Sequence, residues 1–118
     1  MGASFKDLVA WQRAMEMTIA VYKLIASFPA SERYALSDQL RRAAVSVPSN
    51  IAEVYGRSTR GEYLLFLGHA RGSNHEVETQ LLIAASLGFG TAESMAAAQK
   101  LCADVSRLLG ALIKSLRS

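Results

Sequence analysis

Residues 39–57 read QLRRAAVSVPSNIAEVYGR, and their apolar side chains recur every three to four positions, a spacing that predicts an amphipathic helix. Pro48 stands in the middle of this helix, where a proline removes a backbone N–H, crowds the preceding turn and costs about 3 kcal/mol. Beyond it, Asn50, Glu53 and Arg57 are spaced i, i+3, i+7 and share one helical face. We therefore expect a proline kink followed by an aligned amide, carboxylate and guanidinium.

Signals for three further helices lie on either side of this segment. A first helix is expected from about Phe5 to Ser27, ended by Phe28-Pro29, because the residue before a proline avoids the helical region. The central helix should begin at Asp38, with Ser37 as its N-cap. Thr59 and Glu62 have the spacing of a capping box, so a third helix should begin near Arg60.

Gly88-Phe89-Gly90 is the clearest turn in the chain, and Thr91 should cap a fourth helix that runs to the C-terminus. Four helices with short connections and no strand-like alternation predict an all-α, up-down-up-down four-helix bundle in a single domain, residues 1–118. The expected buried stripes are Leu8, Trp11, Met15, Thr18, Tyr22 and Ile25 in the first helix; Leu40, Ala44, Val47, Ile51 and Val54 in the second; Tyr63, Leu67, Ala70, Asn74, Val77, Leu81 and Ala84 in the third; and Met95, Ala98, Cys102, Val105, Leu109, Leu112 and Leu116 in the fourth.

The composition narrows the environment of the protein. Hydrophobic residues make up 51% of the chain, which is rich for a small soluble protein and favours burial between subunits. The longest uncharged run, 79–92, is too short to span a bilayer, and the N-terminus lacks the features of a signal peptide. One cysteine, Cys102, fits a reducing cytoplasm and is expected in the core.

The formal net charge is +3, with a sequence pI of about 9.3. This excess permits nucleic-acid binding without requiring it. The Arg41-Arg42 pair could contact phosphates, although a solvated helix face or an ion pair between subunits explains it equally well. The candidate nucleic-acid-binding residues are Arg41, Arg42, Arg57, Arg60 and Arg71.

Two polar stripes remain where a plain bundle helix would need none. One consists of Asn50, Glu53 and Arg57; the other consists of Glu62, His69, Ser73, Glu76 and Gln80. An exposed Glu53–Arg57 pair would contribute only a few tenths of a kcal/mol. The alternative is a polar network that sets helix register or lines a pocket or pore shared between subunits.

The patterns expected of catalytic and metal sites are missing. A di-iron bundle needs Glu-x-x-His on two helices, and no Glu here precedes a His by three residues. His69 and His75 are six residues apart and share a face poorly. Ser73, His75 and Glu76 point in different directions along a helix, so they do not form a triad. We expect no enzyme activity, no metal and no cofactor.

Several segments resemble the four-helix-bundle proteins encoded within bacterial 23S rRNA intervening sequences. The matching segments are FKDLVAWQRAM (5–15), VYKLIASFPASERYALSDQLRRAAVSVPSNIAE (21–53), GR (56–57) and EYLLFLGHARGSNHEVETQLLIAASLG (62–88). The strings QLRRAA and SNIAE, in that order, are fairly specific. The chain departs from the family at Val54-Tyr55, where members usually have a glycine directly after SNIAE.

The resemblance implies a four-helix subunit that assembles into a ring of five, with no established enzymatic activity. The accessory protein of diversity-generating retroelements is similar; it is a basic pentameric barrel that binds nucleic acid and a reverse transcriptase. By analogy, the interpretation favoured here is a cytoplasmic, non-enzymatic homo-oligomer, in contact with RNA, DNA or a nucleic-acid enzyme and not with a membrane.

Two other interpretations stay open. The chain could be an assembly or scaffold protein without nucleic-acid contact, or an enzyme or small-molecule binder that uses Glu53, Arg57, Glu62 and Glu76. Arginines clustered on one face would favour nucleic-acid binding, and arginines dispersed into intersubunit pairs would favour the scaffold. Convergent carboxylates with shifted pKa values would favour a small-molecule site.

Overall fold

Four α-helices account for most of the computed structural model, which describes residues 4–32 and 35–117. They are α1 (Val9–Ile25), α2 (Leu36–Glu53), α3 (Arg60–Ser86) and α4 (Ala92–Arg117), with short 3-10 segments at Phe5–Asp7, Ala30–Glu32 and Val54–Gly56. The described residues include no strand. Each helix packs against the next, and α4 closes on α1, in a body of 44 × 23 × 22 Å. The all-α four-helix prediction is confirmed; residues 33 and 34 of the expected connector lie outside the described residues.

The expected first helix is divided in two. Leu8 has extended backbone angles (φ −73°, ψ 125°), so a 3-10 turn at Phe5–Asp7 precedes α1. The predicted buried stripe is only partly right: Ile25 is buried as expected, whereas Met15 and Tyr22 are 36% and 46% exposed. The side chains that α1 buries in the core are Ala10, Ala14, Met17, Val21, Leu24 and Ile25. This face combines the small Ala10 and Ala14, which allow neighbouring backbones to approach closely, with the large Met17 and Leu24, which fill the core.

The second helix buries the stripe expected of it. Leu40, Ala44, Val47 and Ile51 are fully buried and Val54 is nearly so. The predicted start is wrong: α2 begins at Leu36, two residues before Asp38, and Ala35 provides no side-chain cap. Ser37 lies inside the helix and is buried rather than capping it. The two additional helical residues, about half a turn, include Leu36, which packs against the core.

A tertiary hydrogen bond compensates for Pro48, which α2 includes without ending. The carbonyl of Ala44 lies four residues before Pro48 and receives no helical hydrogen bond from it, because proline lacks an N–H. The hydroxyl of Thr18 on α1 donates to this Ala44 oxygen at 3.0 Å, and it shares its proton with the oxygen of Ala14 at 2.8 Å. The side of α2 next to Pro48 is therefore supported by α1.

The third helix begins as the capping box predicts. The N–H of Glu62 donates to Thr59 Oγ1 at 3.2 Å, and the Thr59 hydroxyl donates to Glu62 Oε1 at 3.1 Å. The expected stripe from Leu67 to Ala84 is buried, and Tyr63 is partly buried. Its one polar member, Asn74, donates from Nδ2 to the carbonyl of Cys102 at 3.0 Å, which ties α3 to α4.

The turn between α3 and α4 follows the glycines. Gly88 has φ 74° and continues the C-terminus of α3 as a Schellman motif, with hydrogen bonds from Gly88 N to Ala85 O and from Phe89 N to Ala84 O. Gly90 has φ 81°, and a Cβ there would collide with Leu24 of α1. Thr91 Oγ1 then accepts from Ser94 N at 3.1 Å and caps α4, as expected.

The buried face of α4 matches the prediction over its first five positions. Met95, Ala98, Cys102, Val105 and Leu109 are buried. Near the end the buried residue is Ile113, whereas Leu112 and Leu116 are only partly buried. The strict seven-residue repeat therefore fails in the last two turns, because a straight helix with 3.6 residues per turn drifts from that repeat.

Candidate interaction surfaces on either side of α2

Polar side chains from α2 and α3 meet along a line that we call the α2–α3 seam, formed by Gln39, Ser46, Asn50, Ser73 and Gln80. The hydroxyls of Ser46 and Ser73 are 2.8 Å apart. Asn50 Nδ2 donates to Ser46 O at 2.8 Å and to Ser46 Oγ at 3.0 Å. Farther along, Gln80 Nε2 donates to Gln39 Oε1 at 3.5 Å. The seam therefore joins the two helices by side-chain hydrogen bonds.

Arg57 lies at the end of the seam where the chain passes from α2 to α3. Arg57 donates from Nη2 to Glu53 Oε2 at 2.6 Å, and its guanidinium lies 4.3 Å from the centre of the Phe66 ring. Its Nε atom is buried without a hydrogen-bond partner among the described residues. Cation–π stacking and the ion pair fix this side chain against α3.

The seam includes some, but not all, of the expected polar stripe. Asn50, Ser73 and Gln80 belong to it. Glu62 instead caps α3, and His69 meets Phe66 edge-on, with the ring centres 5.8 Å apart. Glu76 is exposed and makes no hydrogen bond or ion pair with a described residue.

Sequence reasoning missed Gln39, Ser46 and Phe66 as parts of this region. A signal was present: Gln39, Ser46, Asn50 and Glu53 follow one another at spacings of seven, four and three, so these four lie on one face of α2. That face meets a polar face of α3. Arg57 was expected on the same helical face, but α2 ends at Glu53, and Arg57 follows a 3-10 turn with extended backbone angles.

The carboxylates of Glu53, Glu62 and Glu76 do not form an acid–base site near Arg57. Glu53 is paired with Arg57, while Glu76 lies ten residues farther along α3 than Phe66. Hydrogen bonds from the Thr59 hydroxyl and then from the Ser58 N–H hold the pKa of Glu62 below its usual value. A general acid would need a raised pKa, so Glu62 does not have the property expected of one.

The five candidate arginines fall into three groups. Arg41 and Arg42 both approach Asp38, at 3.8 and 3.1 Å, and the Arg42 side chain is 80% exposed. Arg57 is held in the seam by its contacts with Glu53 and Phe66. The remaining two, Arg60 and Arg71, are on α3.

Arg60 and Arg71 are exposed on α3 and are eleven residues apart, close to three full turns, so they lie on one side of the helix. Arg60 comes two residues before Glu62, which caps α3. Arg71 comes two residues before Ser73, which faces α2. Two residues correspond to about 200° around a helix, so both arginines point away from the seam. Within one chain, the five arginines do not form a single basic face.

On its other side, α2 forms an open groove with α1, which we call the α1–α2 groove. It consists of two adjoining hollows of about 500 and 360 Å³ that share Val45. Its walls are Trp11, Met15, Thr18 and Tyr22 on α1, and Asp38, Arg41, Arg42, Val45, Ser46, Pro48, Ser49 and Ala52 on α2. Trp11, Met15, Thr18 and Tyr22 had been predicted to lie in the core.

A second groove, between α1 and α4, has a volume of about 510 Å³. Its floor is apolar, with Ile19, Ala20 and Leu101 among its residues. Its charged residues are Lys23 against Glu16 and Glu93, a net charge of −1. In the α1–α2 groove, Arg41 and Arg42 against Asp38 give a net charge of +1. The two grooves therefore differ in the sign of their charge.

The described residues offer little for metal or nucleophilic chemistry. They contain no group of three or more His, Cys, Asp or Glu side chains placed to hold a metal ion. Cys102 is buried, which confirms it as a core residue, and burial raises the pKa of its thiol to about 12. The described helices are all too short or too polar to cross a membrane.

The fold and these surfaces define an all-α four-helix bundle protein with open grooves between its helices. The family model for the 23S rRNA-intervening sequence protein matches residues 6–111, so the chain belongs to that family. The resemblance found in the sequence is thereby confirmed.

A solved structure shares the fold. It is a protein of unknown function from the S23 ribosomal protein family of Bacteroides thetaiotaomicron VPI-5482, with a TM-score of 0.80 and 21% sequence identity. The match covers 90% of this chain and 99% of that one. No sequence among curated proteins matches the chain.

Proposed function

We propose that this chain is a non-enzymatic, self-assembling helical protein of the cytoplasm, and that its assembly, a ring of five copies, presents basic residues to nucleic acid or to a nucleic-acid enzyme. The observation that carries the assembly is the amount of apolar surface left uncovered on more than one side of the bundle. The ring size follows the family resemblance.

Uncovered apolar side chains lie on α1 and on α3. Ile19 is 50% exposed on α1, while Leu65, Ile83 and Leu87 are 53%, 45% and 59% exposed on α3. Burial of apolar surface contributes about 25 cal/mol per Å², so covering these side chains favours association. A closed ring needs two different surfaces on each subunit, and a chain with apolar residues on two sides supplies them.

The first prediction is that the protein sediments as an oligomer at micromolar concentration. Replacing Leu65 by Glu places a charge on the uncovered side of α3 and should shift the mass toward the 12.8 kDa monomer. His75→Glu also introduces a negative charge at an exposed position of α3, but it removes no apolar side chain, so it should keep the wild-type mass. A monomeric wild type would refute self-assembly.

Nucleic-acid binding is supported by the charge and by the accessible arginines. The net charge is +3, Arg42 is 80% exposed, and Arg60 and Arg71 form no ion pair with a described residue. Phosphate contacts need only charge and reach, and no described element resembles a base-reading recognition helix in a groove. Binding should therefore be electrostatic and indifferent to sequence.

The second prediction concerns salt. Affinity for nucleic acid should fall steeply as salt rises, and the double variant Arg41→Ala/Arg42→Ala should weaken binding to all sequences alike and flatten the salt slope by up to about two units. Arg13→Ala/Arg107→Ala is the matched control. It removes the same charge from two arginines that are also paired with nearby carboxylates, on α1 and α4, and it should retain most of the affinity.

The rival proposal is a scaffold without nucleic-acid contact. It predicts an intact oligomer that binds no nucleic acid even at low salt. Salt-insensitive binding, or normal binding by the Arg41/Arg42 double variant, would contradict a role for these two arginines.

A further inference from the structure

We infer that the α1–α2 groove is a binding site for single-stranded nucleic acid, in which a base stacks on Tyr22 while neighbouring phosphates contact Arg41 and Arg42. This inference rests on the proposed nucleic-acid binding and gives it a location and a strand type.

The first step is the position of the aromatic side chains. Tyr22 is 46% exposed and lines the same hollow as Arg41 and Arg42. Trp11 lines the adjoining hollow and precedes Tyr22 by eleven residues, about 16 Å along a helix that rises 1.5 Å per residue. Aromatic faces beside basic side chains are the two elements by which proteins hold single strands without reading their sequence.

The second step is that the Tyr22 side chain makes no evident contribution to the packing of the fold. It belongs to the α1 face directed toward α2, yet nearly half of it stays uncovered, and its side chain makes no ring contact or hydrogen bond with a described residue. The aromatic pairs of the bundle involve other residues, among them Phe28 with Phe89. An unpartnered ring in a concave, positively charged surface is suited to stacking.

The third step is the distribution of charge. Among the described residues, the only carboxylate that lines the α1–α2 groove is Asp38, and both arginines share it. The α1–α4 groove, similar in volume to the hollow beside Tyr22, carries two glutamates against one lysine and has no aromatic residue in its described lining. A phosphate chain is therefore attracted to the first groove and repelled by the second.

The fourth step separates single strands from duplexes. In a duplex, both faces of each base are already stacked on neighbours, so Tyr22 has no face to meet. A single strand offers free faces, and stacking on an aromatic side chain tolerates every base. The site should therefore prefer single strands of any sequence over duplexes of equal length.

The test measures binding of a short fluorescein-labelled oligothymidylate by anisotropy at low salt, together with the emission of Trp11, the one tryptophan of the chain. Unlabelled strand should quench this emission, because Trp11 lines the groove. Tyr22→Ala should weaken binding about tenfold or more, whereas Tyr22→Phe keeps the ring and should bind like the wild type. Val9→Ala, half-exposed on the same helix but outside the residues that line the groove, is the matched control and should also bind normally.

The outcomes distinguish binding in the α1–α2 groove from nucleic-acid binding elsewhere on the protein. If the wild type binds but Tyr22→Ala binds equally well, or Trp11 is not quenched, the strand lies elsewhere: the groove inference fails and nucleic-acid binding stands. If the wild type binds no strand, both fail. If Tyr22→Ala instead lowers the oligomeric mass, the groove is an interface with a second copy, and the inference is overturned.

Discussion

The two sides of α2 differ in how closely their side chains are joined to the neighbouring helix. Toward α3, the helix presents polar side chains, and several of them bond to one another, as Ser46 with Ser73 and Asn50 with Ser46. Toward α1, the groove combines Val45, which is 42% exposed, with Arg41 and Arg42, whose ion pairs are with Asp38 of the same helix. The α3 side is tied to its neighbour, whereas the groove on the α1 side is open.

This difference between the two sides of α2 indicates which of them would gain more from binding a partner. Polar groups whose hydrogen bonds are already made gain little from a partner, whereas uncovered apolar and charged groups gain from one. Asn50, Glu53 and Arg57 were the first candidate for function in the sequence, because polar residues in helical register are unusual for a bundle. The groove has the stronger claim, since it is open and is lined by exposed aromatic and basic side chains, among them Tyr22 and Arg42.

Among substitutions that test the two sides of α2, we expect Thr18→Val to have the largest effect on stability. Thr18 joins the groove side of α2 to α1 by its hydrogen bond to the Ala44 carbonyl. Thr18→Val keeps the shape but leaves the buried Ala44 carbonyl without its donor, which should lower the free energy of unfolding by about 1–3 kcal/mol. Urea denaturation of the variant measures this loss.

Pro48→Ala provides the matched background. It restores an N–H for the Ala44 carbonyl, so folding should persist with thermal stability level or higher, and Thr18→Val should then cost less than it does beside Pro48. A double-mutant cycle gives the coupling. Additive effects would show that Thr18 does not compensate for Pro48, and a large loss in Pro48→Ala alone would show that the proline positions Asn50 and Glu53.

An intermediate effect is expected in the seam. Ser73→Ala removes the hydroxyl 2.8 Å from Ser46 and should lower the free energy of unfolding by about 1 kcal/mol, the net contribution of one hydrogen bond. The control is Ser86→Ala on the same helix, whose exposed hydroxyl bonds only to its own helix. Equal losses in the two variants would contradict a stabilising seam.

The smallest effect is expected in the open groove. Met15→Ser replaces a side chain that is 36% exposed and already outside the core, so chemical denaturation should show a change within about 0.5 kcal/mol. Met17→Ser, two residues on and fully buried, should be strongly destabilising. If both variants lost stability equally, Met15 would belong to the core, as the sequence first indicated.

Much of the fold could be predicted because local signals agreed with the tertiary structure. The capping box at Thr59 and the glycines at 88 and 90 mark helix ends by their own hydrogen bonding and backbone angles, independent of the remaining chain. The stripes of α2 and α3 are flanked by polar residues, so periodicity leaves one buried face to choose.

The candidate surfaces were only partly predictable. Asn50, Ser73 and Gln80 stand out in the sequence as polar residues in helical register. Tyr22 does not, because an aromatic residue at core spacing gives no sign that its helix is rotated. Its place in the α1–α2 groove emerged only when α1 was set against α2.

By itself, the sequence determined that this chain forms four helices, where α3 and α4 begin, and which faces α2 and α3 bury. The tertiary structure alone decided the rotation of α1. That helix has two adjacent apolar faces, one with Ala10, Ala14 and Met17 and one with Trp11, Met15 and Tyr22, and periodicity cannot rank them. Packing ranks them, because the shapes of both neighbouring helices select the face that fills the core, where Met17 lies beside the small Ala10 and Ala14.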